Sequence, residues 1–421
     1  MLKFVRYLAS AGWDPAVLTV SNGSFPDHDA TLLYEVPPHL PVRYAPALDP
    51  LRWYARLTGH STQRAPALGA APPASAGLTA RLAAWIRANV FIPDARVGWV
   101  PGATQAALRW VQDEAFDALL TTGPPHSAHL IGAMVQRRTG VPWVADFRDP
   151  WTDIGYYQDL PHTPWARRLD AALEALVLRR ADRVVTVSPS WQRLLADKSP
   201  PGRSPVHLIR NGYDRSDLAA GGPVAPADED FVLTHVGSLY ATRNPSALWQ
   251  ALAQMRTTHP AMRLRVRLVG RVDTQVLESA RAHGLSEMLD VVGYVPHAEA
   301  AQWMQQATAL LLLIEPFEAA GGMIPGKAYE YIATGRPVVG LGPVGGDADA
   351  LLRDVAAGPF LALDDVAGLT ATLTAWYEHW AAGTPPTGAT SDVAATYSRQ
   401  HQARQLGALL DTLLPSSTEA A

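Results

Sequence analysis

Two kinds of apolar pattern alternate along most of the chain. In the first half, short continuous apolar runs occur in FDALLTT, PWVADF, DRVVTVS and VHLIRN, and stretches with helical spacing separate them at 127–138, 164–180 and 190–197. Continuous runs, as opposed to strict alternation, mark strands covered on both faces, and strands alternating with helices mark a parallel sheet. The second half repeats the scheme with FVLTHVG, LRVRLVG, LDVVGYV, ALLLLIE, PVVGLG and PFLAL. Its helical stretches fall at 245–257, 274–283, 297–307, 327–334, from about Asp347, and at 365–380. A last helix is expected over about 394–413, after a Pro/Thr/Gly loop. The fold class read from this is α/β, with two Rossmann-like doubly wound domains.

The pattern stops at RSDLAAGGPVAPADE, where Gly-Gly, two prolines and acids read as a linker. The expected division is therefore a domain over 1–215, a linker over 216–229 and a domain over 230–385. The opening MLKFVRYLASAGWDPAVLTV reads as a helix with Leu2, Phe4, Val5 and Leu8 on one face, a stop at Gly12 and a strand over Ala16–Val20. A doubly wound domain ordinarily opens on a strand, so the first domain is expected to lack its first one. Residues 21–62 read as loops and short strands, and the Ala/Pro/Gly-rich 63–78 as a surface loop.

Composition narrows the function classes. A net charge of −4 and a pI near 6.3 argue against a dedicated nucleic-acid binder. The chain has no cysteine, which excludes disulfides and thiolate metal sites. No apolar run has the length of a membrane span, and the N-terminus does not read as a signal peptide, so cytoplasmic placement is expected. Of the 35 basic side chains only Lys3, Lys198 and Lys327 are lysines. A lysine in so arginine-rich a chain draws attention to EPFEAAGGMIPGKAYEYIATGRPVVG, where Lys327 follows Gly-Gly and Pro-Gly.

Ligands of open parallel sheets bind beyond the carboxyl ends of the strands. In the second half those loops carry Gly237-Ser238 and Arg243, Gly270, Tyr294, and Gly321-Gly322-Met323 leading to Lys327 and Glu330. Glycines let backbone amides approach a phosphate, a helix start favours an anion, and Arg243 and Lys327 add charge. Glu330, three residues after Lys327, shares its helix face and suits two vicinal hydroxyls. The same pair would also make a solvated i,i+3 ion pair, and spacing alone leaves both readings open. In the first half, DFRDPW puts Asp146, Arg148, Asp149 and Trp151 at the end of a core strand, where charges are either paired or functional. His126 and His129 read as cap or surface residues of the following helix. Asp182, Ser188, Ser190 and His297 read as strand starts and helix caps. The Asp-x-Asp strings at 27/29, 228/230 and 347/349 lie in loops or at a helix start and do not read as a metal site. Dinucleotide, Walker A and nucleophile-elbow motifs are absent from the sequence.

The blocks TGPPHS…DFRDPW, ADRVVTVSPSW, HLIRNGYD, VGSLYATRNP, VVGYVPHAEA and IPGKAYEYIATGRPVVG resemble the retaining glycosyltransferases of the family-4-like group, over about residues 2–380. That group has the GT-B fold, two Rossmann-like domains facing across a cleft, and serves bacterial polysaccharide and glycoconjugate assembly. The resemblance implies hexosyl transfer with retention, from a nucleotide-diphosphate sugar of UDP or GDP type, without a metal or other cofactor. It implies a glycan or lipid-linked acceptor and a last helix packing back on the first domain. The aromatic and apolar residues at 82–101 read either as a face toward a lipid-linked acceptor or the inner face of the membrane, or as a partly buried helix and loop of the first domain. Glu330 matches the glutamate that bonds the ribose, Arg243 falls near the basic phosphate ligand, and Lys327 belongs to a PGK variant of the motif. The loop with Asp146, Arg148 and Asp149 lies where the group lines its reaction centre. Gly237, Ser238, Gly270, Tyr294, Gly321, Gly322 and Met323 complete the donor side. The first glutamate of the Glu-x7-Glu motif falls on Gly322, so donor-sugar contacts are expected from backbone amides at Ala320–Met323 instead. Two other readings share these residues. One is a nucleotide-sugar epimerase or a phosphorylase on the same fold; the other is a nucleotide-sugar-binding protein with impaired catalysis.

Overall fold

The computed structural model describes residues 1–23, 30–48, 77–201, 206–219 and 230–415. The chain divides into two compact units, Met1–Arg210 with Ala403–Ala421, and Asn211–Gln402.

In the first unit, strands β1 (Val17–Val20) and β2 (Val42–Ala45) pair in parallel. Strands β3 (Leu119–Gly123), β4 (Trp143–Phe147), β5 (Arg183–Thr186) and β6 (Val206–Leu208) form a separate parallel sheet in chain order. Every residue of β4 is buried, because both faces of this sheet are covered. Trp143, Ala145 and Phe147 pack on one face with Val177, Leu178 and Leu195. Val144 packs on the other with Phe4 and Leu8 of helix α1 (Leu2–Leu8) and with Ala403, Leu406 and Leu410. By strand alternation Asp146 shares the Val144 face. Helix α2 (Leu78–Asn89) buries Ala84 and Ala88 but leaves Leu78, Leu82 and Trp85 exposed at 83%, 57% and 45%. Helices α3 (Val100–Asp113) and α4 (Ser127–Thr139) pack Ala103 and Ala107 against Ile131 and Val135. Helices α5 (Pro164–Arg180) and α6 (Pro189–Lys198) complete the unit's layers.

The second unit is one parallel sheet. Its strands are β7 (Phe231–Val236), β8 (Leu264–Val269), β9 (Leu289–Gly293), β10 (Ala309–Leu313), β11 (Val338–Leu341) and β12 (Phe360–Leu361), in the order β12-β11-β10-β7-β8-β9. The order reverses between β7 and β10, which makes their carboxyl ends the topological switch point. Leu310 and Leu312 face one core, with Ile332 and Leu352. Leu311 and Leu313 face the other, with Trp249 and Leu252. Helix α7 (Ser246–Thr258) lies in the second core, while α9 (His297–Gln306) and α10 (Gly326–Thr334) lie in the first.

Two stretches differ from the sequence reading. The last helix is broken into Ser391–Ala395 and α13 (Arg399–Asp411); α8 (Thr274–Ala282), α11 (Asp347–Asp354) and α12 (Val366–Ala381) precede it. The break has a cause: Tyr213 donates to the Tyr397 carbonyl at 3.1 Å and accepts from Arg399 N at 2.8 Å, pulling Tyr397–Ser398 into a strand-like bridge. The start of the expected linker is a short helix, Arg215–Ala219, capped by Asp214, whose carboxylate accepts from Ser216 N at 3.0 Å. The rest of the linker, 220–229, and most of the 63–78 loop lie outside the described residues, as do Asp27, Asp29 and Asp228.

Candidate functional site

At the switch point of the second unit, Gly237, Gly270 and Lys327, read from three separate loops, come together. Gly237 follows β7 with φ +123° and donates to Val269 O at 2.8 Å. A Cβ on Gly270, itself at φ +129°, would lie 2.5 Å from the Gly237 carbonyl oxygen, so the loops after β7 and β8 meet at a distance only glycine permits. On its open side, a Cβ on Gly237 would meet Lys327 Nζ at 3.2 Å. Lys327 therefore reaches from the first turn of α10 to the end of β7. Its Nζ donates to the Val236 carbonyl at 2.9 Å and lies 3.4 Å from His235 Nε2.

Lys327 makes no salt bridge among the described residues. It is partly exposed by surface area, yet dense packing strips most water from its ammonium, and Arg243 adds repulsion. Together these lower its pKa to about 7, against the opposing pull of Glu330. His235 is buried in β7, and its Nδ1 lies 3.0 Å from the Leu311 carbonyl. A carbonyl only accepts, so Nδ1 carries the proton and Nε2 turns its lone pair toward Lys327. Burial, the nearby Lys327 charge and Arg243 hold His235 far below its ordinary pKa, hence neutral.

Arg243 stands in a 3₁₀ turn after β7, and its Nε donates to Glu315 at 3.1 Å. Glu330 is one turn beyond Lys327, with His297 Nε2 3.7 Å from its Oε1; His297 also lies 3.3 Å from Asp217. Thus Glu330 turns toward α9 instead of forming the i,i+3 pair with Lys327. Tyr294 is exposed, with the Arg271 guanidinium 5.6 Å from its ring centre. The stretch Ala320–Gly322 is a 3₁₀ turn. The amides of Ala320, Gly322 and Met323 donate to Phe317, Ala319 and Ala320 carbonyls, so three of the four amides expected to meet a donor sugar are committed inside the turn.

The first unit holds a second cluster, at the ends of β3 and β4. Asp146 accepts from Thr122 Oγ1 at 2.9 Å and from Arg148 Nε at 3.3 Å. Asp149 has its pKa raised to about 6, chiefly by burial, which the Arg148 charge and a hydrogen bond from Tyr156 offset. Trp151 is buried, and its Nε1 donates to Asp170 on α5 at 3.1 Å. His126 and His129 are not surface caps: both are buried, with His126 stacked on Trp151 at 4.8 Å and His129 on Phe147 at 4.6 Å. Burial lowers the His126 pKa to about 3. Neither ring nitrogen of His126 has a hydrogen-bond partner among the described residues. A Cβ on Gly123 would sit 2.6 Å from His129 Nε2 and 2.8 Å from His126 Nδ1, so the β3 glycine makes room for both rings. The capping role falls instead to Asp94, which accepts from Ser127 N at 2.8 Å and Ser127 Oγ at 2.9 Å. The histidine spacing carried no sign of burial, since the rings that cover it come from β4 and its loop.

Residues 1–212 match the family described as the glycosyl transferase 4-like domain, and residues 230–379 match glycosyl transferases group 1. The chain belongs to the glycosyl transferase 4-like family. It is 30% identical over 207 residues to glycogen synthase of Mycobacterium tuberculosis (48% of this chain, 47% of that protein). It is also 30% identical over 231 residues to D-inositol 3-phosphate glycosyltransferase 1 of Catenulispora acidiphila (50% and 52%). The chain thus spans about half the length of the curated relatives it matches. Among solved structures, Anabaena HepE in complex with UDP and glucose has a TM-score of 0.59 at 16% identity, covering 98% of this chain and 95% of that chain. Sucrose-phosphate synthase from Thermosynechococcus elongatus has a TM-score of 0.60 at 16% identity, covering 98% and 92%. These likenesses establish the GT-B fold.

Proposed function

We propose that this glycosyl transferase 4-like chain moves a hexosyl group, with retention, from a nucleoside-diphosphate sugar to a glycan or lipid-linked acceptor. The observation that carries the reading is the convergence of Gly237, Arg243, Lys327 and the α10 N-terminus on the switch point of the second sheet. These are amides and cations placed where a diphosphate leaving group would gain charge as the glycosidic bond breaks, and interactions stronger there than in the ground state lower the barrier. In this reading the two side-chain cations serve where other sugar transferases use a metal. Glu330 takes the ribose hydroxyls, and Tyr294 with the Gly321–Met323 turn borders the donor. The loop with Asp146, Arg148 and Asp149 in the first unit, beside His126 and Trp151, is assigned to the reaction centre on the acceptor side. UDP and GDP are the favoured nucleotides; HepE, a structural relative, binds UDP.

The test is a thermal-shift and calorimetric series with UDP, GDP, dTDP and ADP on the full chain. Saturable binding of one diphosphate is expected; binding of none overturns the reading. One observation favours a second reading, nucleotide binding with impaired transfer: Gly322 stands at the first motif position, and the neighbouring amides are held inside their own turn. Tight nucleotide binding with no product from any acceptor would select it. Donor turnover without acceptor would select an epimerase. Among the described residues no helix is long and apolar enough to cross a membrane. We place the chain at a membrane surface through the exposed Leu78, Leu82 and Trp85 of α2. The window 51–93 around that helix holds five arginines and no acidic residue.

A further inference from the structure

Lys327 presents a problem of hydrogen-bond supply. An ammonium has three N–H groups. One is used by the Val236 carbonyl at 2.9 Å, and a second faces the His235 Nε2 lone pair at 3.4 Å. Both acceptors are neutral and lie on the inner side of the group. That leaves one N–H without a described acceptor, and Nζ borders the Gly237 side, 3.2 Å from where a Cβ would sit, where the phosphate reading puts an anion.

The charges around this ammonium do not balance it. On β7 the facing titratable group is His235, which stays neutral. Arg243, after β7, brings a like charge, and its own carboxylate partner is Glu315 beyond β10. On α10 itself Glu330 leans toward His297 of α9, and Tyr331 uses its hydroxyl to accept from Val236 N at 2.8 Å. No salt bridge reaches Lys327 among the described residues. A second positive charge beside Arg243 in a crowded, water-poor site is unfavourable until an anion arrives.

We propose that the donor diphosphate binds together with one proton from solvent, which comes to rest on Lys327 Nζ, and that His235 is the positioning residue that aims the resulting ammonium at the phosphate. The inference rests on the nucleotide reading and deepens it. The site is close to charge-neutral at Lys327 when empty and doubly cationic when occupied, so it stabilises the diphosphate without carrying an unpaired charge beforehand. His235 can perform this task because Leu311 fixes its tautomer; the imidazole cannot turn a donor toward the lysine without losing that bond. The low pKa of Lys327 in the unliganded chain agrees with this arrangement.

The sign of the pH dependence follows. Binding raises the affinity of Lys327 for its proton, so binding takes up protons where the empty site is neutral, above about pH 7. Affinity then falls with rising pH, approaching about tenfold per unit. Below that point Lys327 is already charged and contributes no pH dependence.

The experiment is titration calorimetry of UDP into the full chain near pH 8, in HEPES and in Tris. These buffers differ in ionisation enthalpy. The UDP terminal phosphate is fully ionised there and has no proton to release. The difference in apparent enthalpy between the buffers gives the protons taken up, and a clear net uptake, approaching one proton, is expected. Lys327→Met should bring it near zero while weakening UDP at least tenfold. His235→Asn keeps an amide donor for Leu311 but removes the Nε2 acceptor; UDP should weaken about 2- to 12-fold, as for one hydrogen bond, with uptake retained. Saturable binding with the same enthalpy in both buffers overturns the proton linkage and leaves the nucleotide reading standing. Uptake that persists in Lys327→Met puts the proton elsewhere and also overturns it. UDP-like binding by none of UDP, GDP, dTDP and ADP overturns both.

Discussion

Lys327 was legible as a residue of interest because lysine is rare in this chain, but its surroundings were not. His235 lies on a strand far upstream in sequence, and only the sheet order β10-β7 brings it under the lysine. Likewise the Arg243–Glu315 pair joins two loops that neighbour each other only at the switch point. A charge-assisted hydrogen bond contributes about 1.5–3 kcal/mol. Lys327→Ala should therefore lower kcat/KM by about 10- to 150-fold with circular dichroism and melting behaviour preserved, and near-unchanged kinetics would remove the lysine from the phosphate site. Glu330→Ala should act on affinity: its expected signature is a weaker Kd for UDP in calorimetry, with little change in a turnover rate measured at saturating donor. An unchanged Kd would make its role structural, in contact with His297 of α9.

Elements were read well where both sequence and packing impose them. The strands β4, β7 and β10 are buried throughout and mostly apolar because both their faces are covered, so continuous apolar runs mark them in the sequence despite Asp146, Thr234 and His235. The broken helix near residue 397 escaped because the disruption comes from Tyr213, a partner no local pattern reveals. Helix α2 shows the reverse case, an element whose apolar residues point out instead of in. Ala84 and Ala88 pack inward while Leu78, Leu82 and Trp85 stand on the open side, an arrangement suited to an anionic interface with arginines nearby. Co-sedimentation with phosphatidylglycerol vesicles should be strong for the full chain, fall with salt, and drop several-fold in Leu82→Glu/Trp85→Glu. Equal binding to neutral phosphatidylcholine, or no effect of the double substitution, would assign the stripe to something other than a charged bilayer.

At the scale of the molecule, each unit has hydrophobic cores of its own, and the nucleotide residues all belong to the second. Scanning calorimetry should resolve two transitions, and saturating UDP should raise only the one belonging to Asn211–Gln402, by an amount that grows with ligand concentration. A single transition shifted as a whole would mean that the two cores melt together. The scarcity of lysine has one more consequence. Lys3 is tied to Glu35, and Lys198 to Asp153 and Glu174, while Lys327 is held by neutral acceptors alone. Its lowered pKa gives it a larger share of the nucleophilic amine form near neutral pH than an ordinary lysine has. An acylating reagent used sparingly would then tag the Lys327 peptide beside the N-terminal amine, and the Lys327 tag should vanish when nucleotide is present. The protein thus carries its own footprinting probe at the site, readable by mass spectrometry without any engineered label.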